Sequence, residues 1–186
     1  MRLVLAVTGA TGARAAYLLA RKSSWPIALV ASEWGRKVYE RECGPFRELE
    51  ALADVVYDNN DLAAPISSGS VPTAGMVVLP CSANTMAKVA TGVADTLIAR
   101  AAHCHLKEGR RLVLCVRESP WTLMDLDNAR TLAAAGGTIM PLSPPFYMAG
   151  DNELKKTTAE DLLEAMMERV LAVLGQEPGK TWETVA

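Results

Sequence analysis

The apolar run at residues 75–79 ends abruptly in small hydroxyl and amide side chains and then enters a helix-forming stretch. Gly75-Met76-Val77-Val78-Leu79 is followed by Pro80-Cys81-Ser82-Ala83-Asn84-Thr85 and by Met86-Ala87-Lys88-Val89-Ala90. This pattern predicts a buried parallel strand, a tight loop and a helix start. Backbone N–H groups and hydroxyls in such a loop can bind an anion. We expect the loop to share a crevice with the glycine-containing loop at residues 8–13, because ligands bind beyond the carboxyl ends of parallel strands.

The remaining sequence alternates strand and helix patterns. Strands are predicted at residues 3–7, 27–31, 55–57, 75–79, 111–116 and 138–141. Helices are predicted at residues 13–20, 33–41, 46–53, 85–90, 95–106, 122–135 and 158–174, with a long polar loop at 58–73. Alternation of this kind indicates an α/β fold with a doubly wound parallel sheet. We expect one domain over residues 1–174 and a C-terminal tail, 175–186, in which Trp182 docks on the active site or on a neighbouring subunit.

Composition narrows the classes of function. The 186 residues are 50% hydrophobic and carry a formal net charge of −2, so no overall field attracts nucleic acid or an anionic membrane. The four cysteines form no CxxC pair, and His103 and His105 point apart on a helix, so neither a disulfide nor a metal site is expected. No apolar run reaches the length of a membrane span, which is about 20 residues. We therefore expect a cytoplasmic protein without a metal.

The glycine loop excludes the P-loop class of nucleotide-binding proteins and matches the dinucleotide-binding class only in part. Gly9 and Gly12 are spaced GxxG, which leaves the GxGxxG dinucleotide fingerprint incomplete, and no GxxxxGK[ST] sequence occurs. A GxxGxxA variant stays open, with Glu33 after the second strand as the acid that would hold a ribose.

Several loops together resemble one known family, the UbiX-type flavin prenyltransferases. The resemblance rests on residues 8–13 (TGATGA), 67–70 (SSGS), 80–82 with 90–92, 100–107, 116–120 (VRESP) and 145–147 (PFY). It implies a three-layer Rossmann-like fold of flavoprotein type, assembled as a dodecamer. It also implies transfer of a dimethylallyl group from dimethylallyl phosphate to N5 and C6 of reduced FMN, which gives the prenylated FMN used by UbiD-type decarboxylases.

The resemblance also implies roles for individual residues. FMN would be held by Gly9, Ala10, Thr11, Ser32, Ser82, Ala83, Asn84, Thr85 and Arg117. The phosphate donor would be held by Ser68, Gly69, Arg100, Lys107, Tyr147 and Arg169, with Glu118, Thr11 and Glu42 as the catalytic proton-transfer groups. Several cationic donors suit a phosphate leaving group, which arginine binds through its planar fork.

Three positions depart from the family pattern. Thr11 stands where many relatives have serine, and Leu62 stands where some have a tryptophan near the prenyl site. Asn84 replaces a common lysine or glycine, and residues 151–156 read as an insertion before the last helix.

Three other functions stay open at this point. A flavin-dependent cysteine decarboxylase would share Ser82-Ala83-Asn84-Thr85, but it would need an early histidine, and the two histidines lie at 103 and 105. An FMN-binding subunit without chemistry of its own is the second alternative. A nicotinamide-dependent reductase that uses the glycine loop and Glu33 is the third.

Overall fold

Six parallel strands form one sheet in the computed structural model, which describes residues 1–149 and 155–179. The strands are β1 (Leu3–Val7), β2 (Ile27–Ala31), β3 (Val55–Asp58), β4 (Gly75–Cys81), β5 (Leu112–Val116) and β6 (Thr138–Ile139). Their order across the sheet is β3-β2-β1-β4-β5-β6, and each neighbouring pair is parallel. The chain therefore reverses its direction of progress between β1 and β4.

Helices cover both faces of this sheet. They are α1 (Arg14–Lys22), α2 (Glu33–Cys43), α3 (Arg47–Glu50), α4 (Ala83–Ala90), α5 (Leu97–Lys107), α6 (Leu123–Ala134) and α7 (Ala159–Val173). One hydrophobic core joins the sheet to α1, α2, α3 and α7, and a second joins it to α4, α5 and α6. The predicted three-layer, doubly wound sheet is confirmed.

Several predictions of secondary structure were wrong at places where tertiary contacts decide them. β4 continues through Pro80 to Cys81, and the long loop contains a 3-10 helix at Pro65–Ser67. The helix predicted at 46–53 is reduced to α3, because the Asp54 carboxylate accepts from Ile27 N at 2.7 Å and draws the chain to the sheet edge. β6 spans two residues instead of four, although Met140 N still donates to Leu114 O at 3.0 Å.

Ion pairs join α1 to α7 at both ends of their contact. Arg14 pairs with Glu160 at 2.6 Å, and Lys22 pairs with Glu168 at 2.9 Å. The Gln176 side chain closes the far end, accepting from Ser24 N at 2.8 Å and donating to Lys22 O at 3.0 Å. Helix α7 therefore completes the core over α1.

Two earlier predictions concern parts of the chain outside this description. Trp182 and most of the insertion at 151–156 lie outside the described residues, and the boundary of the single domain at residue 174 stays a prediction. Within the described residues, no helix is long and apolar enough to cross a bilayer.

Candidate functional site

The loops after β1 and β4 meet where the strand order reverses, which is where ligands bind in open α/β sheets. Thr8, only 2% exposed, ties them together. Its hydroxyl donates to Pro80 O at 2.8 Å and accepts from Ser82 N at 2.8 Å. The two loops identified from the sequence are thus one rigid unit.

A crevice of about 250 Å³ opens beside this unit. Five residues predicted to hold a cofactor line it, namely Gly9, Ser32, Ser82, Asn84 and Thr85. Six further lining residues were missed from the sequence, namely Trp34, Asn59, Lys88, Thr96, Ile98 and Ala99. Ala10, Thr11, Ala83 and Arg117 were also predicted to hold the cofactor, but they are not among the lining residues.

Three helices of the described chain begin at the crevice, each with a hydroxyl cap. Ser32 accepts from Gly35 N at 3.0 Å at the start of α2, and Ser82 accepts from Thr85 N at 3.2 Å at the start of α4. Thr96 accepts from Ala99 N at 3.4 Å at the start of α5. First-turn amides and the positive ends of three helix dipoles therefore converge, which favours an anionic group such as a phosphate.

Close backbone packing positions α2 against the glycine loop. A Cβ at Gly9 would lie 2.6 Å from the Trp34 Cβ, and one at Gly35 would lie 2.4 Å from Val7 O. Only glycine permits either approach. The first turn of α2 is therefore seated directly on the end of β1.

Glu42, near the end of α2, supports the glycine loop through hydrogen bonds to its backbone. Its Oε2 accepts from Gly12 N at 2.9 Å and from Ala13 N at 2.8 Å, which satisfies amides at the start of α1. Thr11 is exposed and immediately precedes these amides. This geometry gives Glu42 a positioning role, so its predicted part in proton transfer stays a separate prediction.

Arg117 and Glu118 follow the carboxyl end of β5. Arg117 N donates to Cys81 O at 3.0 Å, which extends the alignment with β4. The Glu118 Oε1 accepts from the adjacent Ser119 N at 3.0 Å, and both side chains are exposed. Neither residue lines the crevice.

The residues predicted to bind the donor phosphate form a second group along α5. Arg100 Nε donates to Ser67 O at 3.1 Å, and a Cβ on Gly69 would lie 2.6 Å from Lys107 Nζ. Lys107 also pairs with Glu108. The crevice reaches Ala99 on α5, and Lys107 at the carboxyl end of the helix lies about 12 Å further along its axis at roughly 1.5 Å per residue. A single chain therefore does not bring Lys107 to the crevice.

The other two predicted phosphate ligands lie elsewhere on the surface. Tyr147 is 46% exposed in a 3-10 helix, Phe146–Ala149, and Arg169 is exposed on α7. Neither lines the crevice.

Charges and thiols near the crevice have defined states. The Lys88 ammonium donates to both oxygens of Asp95, at 2.9 and 2.7 Å, and this hydrogen bond lowers the pKa of Asp95. Burial raises the pKa of Cys115 to about 12 and raises that of Cys81 as well. Both thiols therefore stay protonated, and neither is an activated nucleophile. Within the described residues, no cluster of His, Cys, Asp or Glu could hold a metal.

Some of the missed residues carried a local signal in the sequence. Thr96 before an apolar run is a typical N-cap, and Lys88 is one helical turn after Asn84. Asn59 carried none, because its carbonyl and side-chain oxygens accept from the distant Leu97 and Ile98 amides at 2.8 and 3.1 Å.

Comparison with known proteins identifies relatives over most of the chain. The sequence model of the family named Flavoprotein matches residues 1–171. The flavin prenyltransferase UbiX of Deinococcus radiodurans is 46% identical over 155 residues, which cover 81% of this chain and 80% of the relative.

Solved structures agree with this comparison. A crystal structure of AnUbiX (PadA1) in complex with FMN and dimethylallyl pyrophosphate superposes with a TM-score of 0.89 at 38% identity, covering 97% of this chain and 96% of that one. A dodecameric FMN-dependent UbiX-like decarboxylase from Escherichia coli O157:H7 gives a TM-score of 0.87 at 38% identity, covering 98% and 99%.

Proposed function

Since this chain belongs to the flavoprotein family and, within it, to the UbiX-type flavin prenyltransferases, we propose that its crevice holds FMN for prenylation. The observation that carries this assignment is the convergence of hydroxyl-capped helix starts on the crevice at the strand-order reversal. Reduced FMN held there would supply the nucleophile: N5 would bond to the dimethylallyl group as its C–O bond to phosphate breaks, and a second bond, at C6 with loss of the C6 proton, would close the ring.

The residues of the crevice fit FMN chemically. Hydroxyls of Ser82 and Thr85, together with first-turn amides of α4, suit the phosphate of the cofactor. Trp34, which is 66% exposed, supplies an apolar wall for a ring system, whereas Ile98 and Ala99 line the crevice with little exposed surface. We assign FMN binding to these residues together with Gly9, Ser32 and Asn84.

The donor would be held by the second group of residues. Arg100, Lys107 and Arg169 are cations suited to the phosphate of dimethylallyl phosphate, and Tyr147 and the Ser68-Gly69 backbone add hydrogen bonds. Their positive charge would stabilise the phosphate as it leaves, while Glu118 and Thr11 would relay a proton. The choice of a monophosphate donor is part of the proposal.

A second copy of the chain would complete the site. The crevice, at about 250 Å³, is smaller than the roughly 300–1,000 Å³ usual for ligand pockets. Lys107 lies at the far end of α5, so it can reach a crevice only on a neighbouring subunit. Exposed apolar side chains at the start of α6, Leu123, Met124 and Leu126, are 74, 73 and 54% exposed and suit such an interface. We propose a homo-oligomer, with the dodecamer of the Escherichia coli relative as its expected size.

The product would pass to a second enzyme. Prenylated FMN is a cofactor rather than an end product, so we propose a UbiD-type decarboxylase as its recipient and the cytoplasm as its place of formation.

The test of this function is anaerobic. Purified protein is incubated with FMN, a reductant and dimethylallyl phosphate, and the released flavin is examined by mass spectrometry. We expect a gain of one C5 prenyl unit, and a parallel reaction with the diphosphate identifies the preferred donor. Glu118→Gln should abolish the gain, whereas Glu40→Gln, an exposed position on α2, should leave it unchanged.

The second candidate function is an FMN-binding subunit without prenyl transfer. It is favoured by one observation, the hydrogen bond that folds the Glu118 carboxylate back onto Ser119 N. Tightly bound but unmodified FMN with both donors would establish this alternative and contradict the prenyltransferase proposal.

A further inference from the structure

Trp34 presents most of the apolar surface that a ligand in the crevice could cover. Trp34 is 66% exposed, whereas Ile98 and Ala99, the other apolar residues of the lining, are 2% and 1% exposed. The rest of the lining is polar or glycine. An indole left this open at a crevice wall gains most from a flat aromatic partner.

The position of Trp34 is fixed by its surroundings. Gly9 allows the glycine loop to lie against the Trp34 Cβ, and Gly35 allows the next residue to pack on Val7 O. The Lys37 ammonium lies 4.8 Å from the centroid of the Trp34 ring, and Glu33 pairs with Lys37. The Trp34 Cβ is thus held against the glycine loop and its ring is contacted by Lys37, so part of its conformational freedom is already lost before a ligand contacts it.

We propose that Trp34 stacks against the ring system of the bound flavin and sets part of its affinity. The inference rests on the proposed function, because it takes FMN as the ligand of the crevice. Stacking of a heteroaromatic ring on an aromatic side chain contributes about 1–3 kcal/mol to binding when it is tested by alanine substitution, which a titration can measure. Trp34 is therefore a cofactor-contacting residue, in addition to the hydroxyls and amides that suit the phosphate.

The first test compares FMN affinities of purified protein by titration. Trp34→Ala should weaken binding about tenfold, equivalent to ~1.4 kcal/mol, whereas Trp34→Phe should stay within about threefold because it keeps an aromatic face. Thermal unfolding of both variants checks that the fold is retained.

A spectroscopic test needs only the conservative variant. FMN should quench indole emission of the wild-type protein, and Trp34→Phe should lose most of that quenching while still binding FMN by absorbance. Trp25→Phe is the matched control, because Trp25 packs against the first core beside Pro26, at the amino end of β2. It should keep the quenching.

The outcomes separate the two proposals. If the wild-type protein binds FMN, but Trp34→Ala binds equally well and Trp34→Phe keeps full quenching, the inference about Trp34 is overturned and the flavin site stands. If the wild-type protein binds no FMN at all, the proposed function is overturned and the inference falls with it.

Discussion

Tyr39 carries a fully buried hydroxyl that has no hydrogen-bond partner within the described residues. Its ring packs edge-on against Phe46, with centroids 5.3 Å apart. A buried hydroxyl without a partner costs about 1–3 kcal/mol. We predict that Tyr39→Phe raises the free energy of unfolding by about 1 kcal/mol, measured by denaturant titration at fixed protein concentration.

Tyr17→Phe serves as the control for this substitution. Tyr17 is half-buried, with the Arg14 guanidinium 4.4 Å from its ring centroid, so loss of its hydroxyl should change little. A loss of stability in Tyr39→Phe would contradict the prediction, and would mean that the hydroxyl finds a partner in the assembled protein.

His105 is buried and bonded at both ring nitrogens. Its Nδ1 donates to Ala101 O at 2.7 Å, so Nε2 carries no proton and accepts from the Thr73 hydroxyl at 2.7 Å. Burial lowers the pKa of His105 below its usual 6.5, and the nearby Arg110 acts in the same direction. The neutral ring therefore joins α5 to the chain entering β4.

The lowered pKa predicts a loss of stability in acid. Below pH 6.5 the unfolded chain binds the proton that the folded chain resists, so the free energy of unfolding falls as pH drops from about 7 toward the folded-state pKa. The slope for one group is at most ~1.4 kcal/mol per pH unit. Unfolding curves at pH 7.5 and 5.5 check this. His105→Gln should flatten the dependence, whereas His103→Gln should not.

At the scale of elements, the seating of α2 on β1 is a tight backbone contact. Gly35→Ala would place a methyl group 2.4 Å from Val7 O, so the first turn of α2 must move away. Overpacking of this kind costs about 1–3 kcal/mol. We predict that loss, together with weaker FMN binding, because Ser32 and Trp34 lie on the displaced turn. Glu40→Ala on the exposed face of α2 is the control, and equal stability of the two variants would contradict the prediction.

Glu42, at the end of α2, accepts hydrogen bonds from amides at the start of α1, and two substitutions can tell whether it only positions the loop or also transfers a proton. Glu42→Gln keeps an oxygen that can accept from Gly12 N and Ala13 N, whereas Glu42→Ala does not. If Glu42 only supports the loop, the glutamine variant should keep most of its prenylation rate, and the alanine variant should lose about 1–2 kcal/mol of stability. Stable protein with no prenylation in Glu42→Gln would instead show that Glu42 transfers a proton.

The elements that the sequence predicted best are the strands that are buried along their whole length. β1 and β2 have the predicted bounds, because strands buried on both faces are continuous apolar runs. α3 and β6 were misjudged, because contacts with distant segments set where they end. The hydroxyl and glycine loops could be located because they follow such strands. Trp34 and Asn59 could not, since no local pattern marks a side chain that faces a crevice built by distant segments.

At the scale of the whole molecule, a site built from two subunits predicts that oligomers assembled from two different inactive variants recover activity. Ser82→Asp keeps an N-cap for α4 but places a carboxylate where a phosphate would bind, and Lys107→Ala removes the distant cation. Each variant alone should be inactive. Unfolding and reassembling an equal mixture should restore about a quarter of the sites, since random pairing joins an intact crevice to an intact lysine at that frequency.

A double variant controls for this experiment. A chain that carries both Ser82→Asp and Lys107→Ala, reassembled with the Lys107→Ala chain, cannot form an intact site and should recover nothing. Recovery there, or none in the first mixture, would contradict a site shared between subunits.

The ion pairs between α1 and α7 affect how the protein can fold during its synthesis. The partners of Arg14 and Lys22 leave the ribosome more than a hundred residues later, at Glu160 and Glu168. The face of the sheet that α4, α5 and α6 cover can close while the chain is still growing, but the face that α1, α2 and α3 share with α7 is not fully covered until α7 has emerged. Translation therefore leaves part of one apolar side of the nascent protein available to chaperones until α7, Ala159–Val173, has been synthesised.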